Sequence, residues 1–388
     1  MLTALAVLFW ISVSLLFYIE LGYALLLWLI TRFKQPVPSP LTDFEPTLTV
    51  LIAAHNEEKA ISARLENVLA QGYPAKKLQV IVASDGSTDC TDEIVRSYSK
   101  WGILLVRAET HSGKISALRA AESAIQGEVV VFNDADSTLL PESLQKLARH
   151  FYNPLIGAVS GCELRPANNR QGKGRGEGLY NRIETLVKRL ESKGCNQVLL
   201  HGGIFAMRRE LLPFVPDHLT HDAIVPARLV LDGYRVAYEP EAISLEAYEL
   251  DSRQDWHRRI RTVMQAYQSY IYVKEALNPF RAGFFAVQIW SHRFLRWFVL
   301  PLLLITLTSS LLLAQHSLVY LALAGLQVLV YMAAGVGLLL DRAGKRPAIF
   351  YFPFYFTYIH TAAFFALWLS WRGQKVSTWQ PATRSGTS

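Results

Sequence analysis

The sequence is poor in cysteine. Its three cysteines, Cys90, Cys162 and Cys195, are scattered along the chain and form no CxxC pair. A disulfide framework and a zinc site both depend on paired or closely spaced cysteines, so neither is expected. We predict reduced thiols, as is usual for cytosolic domains.

Common nucleotide-binding signatures are also missing. The sequence contains neither GxxxxGK[ST] nor GxGxxG, which argues against a P-loop ATPase and a dinucleotide-dependent enzyme. The net charge of +7 comes without a separate basic patch interleaved with aromatic residues. Lys and Arg accumulate at the cytoplasmic ends of membrane helices, so we predict a membrane protein without a nucleic-acid partner.

Long hydrophobic segments are abundant. Hydrophobic residues make up 51% of the 388 residues, and Glu20 is the only charged residue in Leu2–Ile30. That segment exceeds the roughly 20 residues needed to cross a bilayer, and Arg32 and Lys34 after it mark the cytoplasmic side. We expect Glu20 either to snorkel to the headgroups or to pair with another helix.

Three further segments near the C-terminus are long enough to span: Trp297–Ala314, Leu318–Leu340 and Ile349–Trp371. Before them, Asp251–Lys274 is predicted to form a basic amphipathic helix, and Phe280–Trp297 is expected to lie along the bilayer surface. Four spans place the C-terminus outside, whereas Arg372, Lys375 and Arg384 favour the inside. Either one hydrophobic segment is re-entrant or the tail departs from the charge rule.

Between the hydrophobic ends, strand-like runs alternate with helical patterns. Leu48–Ala54, Leu78–Ser84 and Glu128–Asn133 are continuously apolar and rich in β-branched residues, which suits a parallel sheet covered on both faces. Polar loops follow these runs: His55-Asn56-Glu57, Asp85-Gly86-Ser87 and Asn133-Asp134-Ala135-Asp136. Open α/β sheets bind ligands beyond the carboxyl ends of their strands, so we expect these loops to form one active site.

Asp134 and Asp136 are candidate ligands for a metal ion. Alternate side chains of a strand point to the same side, so both carboxylates can reach one hard cation. Mg²⁺ is typically held by one or two carboxylates together with substrate phosphates, and Mn²⁺ prefers similar ligands. The alternative is a turn or a helix cap, where such acidic pairs are common. We predict Mn²⁺ or Mg²⁺ as the cofactor.

Four residues in the loops are candidate contacts for a nucleotide. Asp85 stands at a strand end, where its carboxylate can accept from a nucleobase imide or a ribose hydroxyl. Asn56 suits the turn, which leaves His55 and Glu57 for the nucleotide. Lys114 suits a phosphate as a point charge, although an exposed surface lysine is an equally good interpretation.

Thr220-His221-Asp222 precedes a predicted helix, Ala223–Leu231. Either Thr220 or Asp222 can cap that helix. The functional alternative is that Asp222 takes a proton from an acceptor hydroxyl, as a positioned carboxylate can.

Arg258, Arg259 and Arg261 cluster on a predicted helix just before the membrane segments. They can bind anionic lipid, or they can neutralise a diphosphate leaving group. The spacing allows both roles at once.

The order of AAHNEE, ASDGSTD, HSGKISAL, FNDADS, HGGIFAMRRE, THDAIVPARLVLDGYRVAYEP and the arginine cluster resembles the family-two inverting glycosyltransferases of GT-A fold. It is particularly similar to the membrane-embedded members that build bacterial polysaccharides and glycolipids. The resemblance covers about Thr47 to Thr262.

This resemblance implies roles for the candidate residues. Glu57 and Asp85 would hold the base and ribose of a nucleotide diphosphate sugar, with His55 and Lys114 as further donor contacts. Asp136, with Asp134 behind it, would bind the metal on the diphosphate. Asp222 would be the catalytic base, and Arg258 and Arg261 would match the arginine-rich motif.

The chain departs from the family pattern twice. His221 stands where a glutamate usually precedes the base, and we retain it as a substrate-binding candidate. Processive synthases carry QxxRW, whereas this chain reads Arg258-Arg259-Ile260-Arg261-Thr262. In those synthases the tryptophan helps to form the acceptor site, so its loss favours the addition of one sugar.

The predicted fold class is α/β, with a GT-A (Rossmann-like) nucleotide-sugar-binding domain inserted between transmembrane α-helices. The predicted divisions are a transmembrane helix at 1–31, a linker at 32–46, a cytosolic GT-A domain at 47–250, amphipathic and interfacial helices at 251–296, three transmembrane helices at 297–371 and a tail at 372–388.

The predicted function is hexosyl transfer from a nucleotide diphosphate sugar to a lipid-linked or saccharide acceptor. It would serve cell-envelope or exopolysaccharide biosynthesis at the cytoplasmic membrane, in contact with membrane lipid. A processive synthase with a translocation channel is one alternative. A catalytically silent, nucleotide-binding membrane scaffold is the other.

Overall fold

The computed structural model describes residues 2–33, 41, 43–164, 175–246 and 252–374. Most of the predicted linker 32–46, the predicted boundary at 250/251 and the tail from 375 onward lie outside the described residues. The division into domains therefore stays a prediction.

A mixed eight-stranded sheet forms the centre of the described chain. Its strands are β1 (Leu48–Ala54), β2 (Leu78–Ser84), β3 (Ile103–Arg107), β4 (Val129–Asp134), β5 (Ser137–Leu139), β6 (Ile156–Leu164), β7 (Ile204–Arg208) and β8 (Arg235–Glu246). Their order across the sheet is β3-β2-β1-β4-β7-β6-β8-β5. The first four strands in that order are parallel. β7 runs antiparallel to β4 and to β6, β8 runs parallel to β6, and β5 runs antiparallel to β8.

The parallel half of the sheet confirms the expectation drawn from the apolar runs. β1 and β2 have the predicted bounds, and every residue of β1 is buried. Alternate residues of β1 enter two hydrophobic clusters, one on each face: Val50 and Ile52 in one, Leu51 and Ala53 in the other. A strand that is covered on both faces needs apolar side chains at every position.

The helices surround this sheet and extend beyond it. They are α1 (Leu2–Phe17), α2 (Tyr23–Phe33), α3 (Ile61–Leu69), α4 (Thr91–Ser97), α5 (Lys114–Ala120), α6 (Ser143–Ala148), α7 (Arg175–Gly194), α8 (His221–Leu231), α9 (Ser252–Tyr272), α10 (Pro279–Ala282), α11 (Phe284–Ile289), α12 (Leu295–Trp297), α13 (Val299–Leu313), α14 (Leu318–Arg342) and α15 (Ala348–Trp371).

Among the described residues, three helical segments are long and apolar enough to cross a membrane: Leu2–Phe33, Leu318–Arg342 and Ala348–Trp371. A fourth candidate, Phe284–Trp297 with Val299–Leu313, is bent by 60° at its break. Such a bent pair is either a broken span or a re-entrant segment. The predicted span Trp297–Ala314 corresponds to its second half, which at 15 residues is shorter than a typical span.

Glu20 lies where the first hydrophobic helix is interrupted. A π-helical turn, Tyr18–Gly22, separates α1 from α2, and π-bulges often mark functional positions. The carboxylate of Glu20 lies 3.5 Å from the His360 ring nitrogen on α15. Of the two expectations for Glu20, the structure shows the contact with another helix.

Candidate active site

The loops after β1 and β2 interlock at the carboxyl end of the sheet. Asn56 has φ of +55°, and its Oδ1 accepts a hydrogen bond from the Thr88 N–H at 2.8 Å. Gly86 has φ of +63°, and a Cβ there would lie 3.0 Å from the backbone N of His111. Asn56 therefore forms its turn, as predicted, Gly86 forms the neighbouring turn, and the two loops are held against each other.

Asp85 fixes the turn that leads into α5. Its two carboxylate oxygens accept from the backbone N–H groups of Ser112 and Gly113, each at 2.9 Å. The His111 Nδ1 lies 2.8 Å from the same carboxylate. These contacts set the start of α5 at Lys114, so Asp85 positions the predicted phosphate contact. A direct contact of Asp85 with a nucleotide stays a prediction.

His55 and His111 stack on one another, with ring centroids 3.9 Å apart. His55 Nδ1 is bonded to the carbonyl oxygen of Asp85 at 2.7 Å. With Asp85, these histidines form a group whose ligand atoms are close enough to hold a metal ion. Imidazole nitrogens suit zinc, copper, iron or nickel, whereas carboxylate oxygens alone suit Mg²⁺ and Mn²⁺. His55, His111 and Asp85 thus form a second candidate cation site. It suits transition metals such as zinc, whereas the Asp134–Asp136 pair suits Mg²⁺ or Mn²⁺.

Glu57 lies at the same end of the sheet and is buried, with 6% of its surface exposed. Its backbone N–H donates to the Thr91 hydroxyl at 2.8 Å, and its carbonyl accepts from the first turn of α3. The loop after β1 thereby joins α3 to α4. The predicted nucleotide contact of the Glu57 side chain is untested.

Lys114 joins the separate acidic residues into one site. Its ammonium group forms an ion pair with Asp134. Burial alone would lower the pKa of Lys114, but Asp134, Asp222 and Asp136 outweigh that effect and raise its pKa. One half-buried lysine thus interacts with carboxylates from two distant stretches of the chain.

Arg64, on α3, is a charged neighbour of Asp134 and Asp136 that the sequence reasoning missed. Only 3% of its surface is exposed, and burial lowers its pKa to about 9 against the opposing effects of Asp134 and Asp136. Its Nη1 donates to Asn67, but its Nε and Nη2 have no hydrogen-bond partner among the described residues. Leaving a buried donor unpaired costs about 1–3 kcal/mol, so these atoms suit a partner that arrives with a ligand.

Asp222 is not the cap of α8. The Thr220 hydroxyl accepts from the Asp222 backbone N–H at 3.3 Å, so the Asp222 carboxylate is left for another role. A Cβ on Gly202 would lie 3.3 Å from Oδ2 of Asp222. The HGG segment therefore passes close beside this carboxylate, and a larger residue at 202 would crowd it.

The Asp222 carboxylate has an altered acidity. Burial, together with the charge of Asp134, raises its pKa to about 6, against the opposing effects of Lys114, Thr220 and Arg293. A carboxylate with a pKa near 6 is deprotonated at neutral pH and is a stronger base than an ordinary aspartate. This is the acidity that a general base requires.

His221 is buried and uncharged. Burial, with smaller effects of Lys114 and Arg119, lowers its pKa to about 3. Its ring packs against Phe132, with the centroids 5.4 Å apart. It therefore brings a neutral ring beside Asp222 where the family usually has a carboxylate. Its predicted role in substrate binding is untested.

The three clustered arginines of α9, Arg258, Arg259 and Arg261, divide into two groups. Arg259 donates to Asp255 at 2.6 Å and to the Tyr355 hydroxyl at 2.8 Å, which joins α9 to α15. Arg258 instead lies 3.7 Å from Glu163. Burial and the nearby charge of Arg258 lower the pKa of Arg261. Arg258 and Arg261 therefore lie together, and Arg259 has a structural contact.

Glu163 and Asp222 lie beside two adjacent glycines, and Glu163 is the neighbour of Arg258. A Cβ on Gly203 would lie 2.7 Å from Oε2 of Glu163, and the adjacent Gly202 lies beside Asp222. The glycine pair thus has Arg258 near one side and the candidate base near the other. This arrangement fits an anionic leaving group on the Arg258 side and an acceptor hydroxyl on the Asp222 side.

Residues 49–213 match the family model of Glycosyl transferase family 2. These residues form a glycosyl transferase family 2 domain. The predicted resemblance to the family-two glycosyltransferases is therefore confirmed for these residues, and so is the predicted α/β GT-A fold class.

Curated relatives are similar over the same region. The chain is 26% identical over 262 residues to the poly-beta-1,6-N-acetyl-D-glucosamine synthase of Staphylococcus aureus (strain COL), which is 65% of this chain and 61% of that protein. It is 28% identical over 221 residues to the synthase of the same name from Staphylococcus epidermidis, which is 55% of this chain and 53% of that protein. The chain thus spans between half and two thirds of these relatives.

A solved structure matches over most of both chains. The mannosyltransferase PcManGT from Pyrobaculum calidifontis, in complex with GDP-Man and Mn²⁺, superimposes with a TM-score of 0.69 at 26% identity. The match covers 93% of this chain and 99% of that chain. The likeness therefore extends beyond the family 2 domain into the helices that flank it.

Proposed function

We propose that this protein is a metal-dependent hexosyltransferase that moves a sugar from a nucleotide diphosphate sugar to a membrane-associated acceptor. The observation that carries the proposal is the half-buried group of Asp222, Lys114, Asp134 and Asp136. The last three of these residues lie within the glycosyl transferase family 2 domain, and Asp222 follows it closely in the chain. In this group Asp222 is the candidate base, Lys114 is a candidate contact for the diphosphate, and Asp134 and Asp136 are candidate ligands for its metal ion.

Asp222 acts as the base in one inverting displacement. Its carboxylate takes the proton of the acceptor hydroxyl, the acceptor oxygen bonds to the anomeric carbon, and the bond from that carbon to the diphosphate oxygen breaks. The pKa near 6 favours this transfer, because it leaves the base deprotonated yet basic at neutral pH.

Cationic side chains act on the leaving diphosphate. Lys114 contributes a point charge beside Asp134, and Arg258 and Arg261 contribute a second pair of charges. Fixed positive charge in a water-poor site stabilises charge that develops on a leaving group. His55, Glu57 and Asp85 are proposed to hold the base and ribose of the same donor.

The residues at 134 and 136 fit a divalent cation. Two carboxylates supply hard oxygen ligands, which match Mn²⁺ or Mg²⁺, and Arg64 behind them has donors free to orient a carboxylate. A cation bound there would offset the charge of the diphosphate. The Mn²⁺ in the PcManGT complex supports this assignment.

The acceptor is proposed to be lipid-linked or a saccharide at the membrane. Helices apolar enough to span flank the catalytic domain, which supports a multi-pass protein of the cytoplasmic membrane with a cytosolic site, in contact with membrane lipid. The names of the curated relatives support a place in exopolysaccharide or cell-envelope biosynthesis.

A processive polysaccharide synthase is the second candidate. The relatives named poly-beta-1,6-N-acetyl-D-glucosamine synthases favour it, whereas Thr262 in place of the motif tryptophan favours single addition. Product length distinguishes the two, because a synthase yields a ladder or a long polymer on a gel and a single-addition enzyme yields one species.

A donor screen tests the proposal. The full chain in detergent is given GDP-mannose, UDP-N-acetylglucosamine and other nucleotide sugars with a membrane lipid extract, with and without Mn²⁺. We expect one donor to release nucleoside diphosphate and to label the lipid or saccharide fraction. Binding of nucleotide and metal without turnover for any donor would instead support the silent scaffold.

A further inference from the structure

We propose that Lys114 and Arg64 serve as built-in counterions of Asp134 and Asp136, so that the divalent cation enters this site with the nucleotide diphosphate and not before it. This inference rests on the proposed function in one respect, namely that the ligand of the site carries a diphosphate.

The first counterion competes directly with a metal. Nζ of Lys114 contacts Oδ1 of Asp134, an oxygen that a cation at this site would use. The lysine side chain is 29% exposed and that of Asp134 is 34% exposed, so neither is locked by surrounding atoms. A free divalent cation must displace the ammonium group from Asp134 and then hold its own two positive charges close to that of the lysine.

The second counterion is permanent. Arg64 is almost fully buried on α3, and its side chain is held by the Nη1 hydrogen bond to Asn67 at 2.6 Å. Asn67 in turn accepts from the Leu139 N–H at 2.8 Å and donates to the Leu139 carbonyl at 3.0 Å. The charge of Arg64 therefore stays behind the acidic pair whatever binds in front of it.

The charges of the site nearly cancel before any ligand binds. Asp134, Asp136 and Asp222 are balanced by Lys114 and Arg64 except for a single negative charge. Arg293 interacts with Asp222 and offsets part of that remainder. A divalent cation alone would make this half-buried region positive, which is unfavourable because solvent screens like charges less there than in bulk water.

A diphosphate reverses this balance. Its phosphate oxygens offer Lys114 a partner of higher charge than Asp134, and charge-assisted contacts of that kind are strong. The ammonium group then moves to the phosphate, and Asp134 becomes available to the cation. Donor and cation consequently stabilise each other in the site.

Binding of Mn²⁺ to the full chain in detergent, followed by electron paramagnetic resonance of the free ion, tests the proposal. For the wild type we expect weak binding of Mn²⁺ alone and at least tenfold tighter binding with GDP or UDP present. The Lys114→Met variant should bind Mn²⁺ alone at least about tenfold more tightly than the wild type. Lys114→Arg, which keeps the charge, should behave as the wild type does.

Controls separate this effect from chelation and misfolding. Nucleotide without protein and the Asp136→Ala variant measure Mn²⁺ held by the nucleotide itself. Arg64→Met tests the second counterion, and should also tighten binding of Mn²⁺ alone; Arg64→Lys and thermal melting curves identify a folding defect. Tight binding of Mn²⁺ alone to the wild type, or unchanged or weaker binding to Lys114→Met, would overturn the proposal.

The Mn²⁺ experiment tests the counterion proposal and the donor screen tests the proposed function, so a negative result in one does not decide the other. The Mn²⁺ measurement needs no sugar transfer, so a protein without turnover can still show the Lys114→Met effect. Conversely, an active transferase that binds Mn²⁺ tightly without nucleotide would retain its function and refute the counterion role.

Discussion

The hydroxyl of Thr220 accepts a hydrogen bond from the backbone N–H of Asp222 at 3.3 Å. Thr220 thereby caps α8, and the Asp222 carboxylate is directed to Gly202 on the neighbouring segment. A cap at Asp222 itself would have tied up the oxygen atoms that a catalytic base needs. The capping pattern thus favours the functional alternative for Asp222.

Replacing Asp222 by Asn should abolish turnover and spare donor binding. The amide has nearly the same shape but cannot take the acceptor proton, and a positioned general base contributes about 10²–10⁴-fold to a rate. Single-turnover kinetics and calorimetry with the donor measure the two effects. Asp232→Asn at the exposed C-terminal end of the same helix is the matched control. Near-normal turnover of Asp222→Asn would refute the assignment.

The rate should fall with acidity below about pH 6. Burial raises the pKa of Asp222 to about 6, so the base form predominates above that pH and is lost below it. We expect kcat/KM, which reports the pKa values of the free enzyme, to decrease about tenfold per pH unit at the acid side. A profile of kcat/KM from pH 4.5 to 8 checks this, and a flat profile across pH 6 would exclude Asp222 as the titrating base.

Arg258 and Arg259 should have different effects when each is changed to Met. Arg258→Met removes charge from the leaving-group side, and we expect kcat to fall about 100-fold. Arg259→Met removes the contacts to Asp255 and Tyr355, and we expect a loss of about 1–3 kcal/mol in unfolding free energy. Thermal melts and kcat of both variants test this, and equal effects on kcat would contradict the division.

Removal of divalent cations should stop transfer, and Mn²⁺ or Mg²⁺ should restore it. The Asp136→Ala variant should not recover at moderate Mn²⁺ concentrations, because it lacks one of the two ligand side chains. Glu109→Gln, an exposed carboxylate between β3 and α5, is the control and should respond as the wild type does. Full activity in EDTA would remove the cation from the mechanism.

The parallel half of the sheet could be predicted because each buried strand is apolar at every position, as in Leu48–Ala54. The antiparallel insertion of β7 could not be predicted, since its place between β4 and β6 is set by tertiary pairing. The short β5 pairs with the end of β8, about a hundred residues later. A local sequence pattern carries no information about such a partner.

The site was only partly predictable for a similar reason. Residues that follow strands, such as Asp85 and Asp136, were found because parallel strands bring their ends together. Arg64 was missed, although its spacing from Ile61 and Val68 puts an arginine on the apolar face of α3, which was the available signal. The separation of Arg259 from Arg258 follows from adjacent residues of a helix facing different directions.

The most direct test of the central claim is release of nucleoside diphosphate from a nucleotide sugar by the full chain in detergent, measured with and without Mn²⁺ and beside Asp222→Asn. The account predicts release coupled to sugar in the acceptor fraction, dependent on the metal and absent from the variant. Release that is equal in the variant, or no release from any nucleotide sugar with acceptor and metal present, would contradict it.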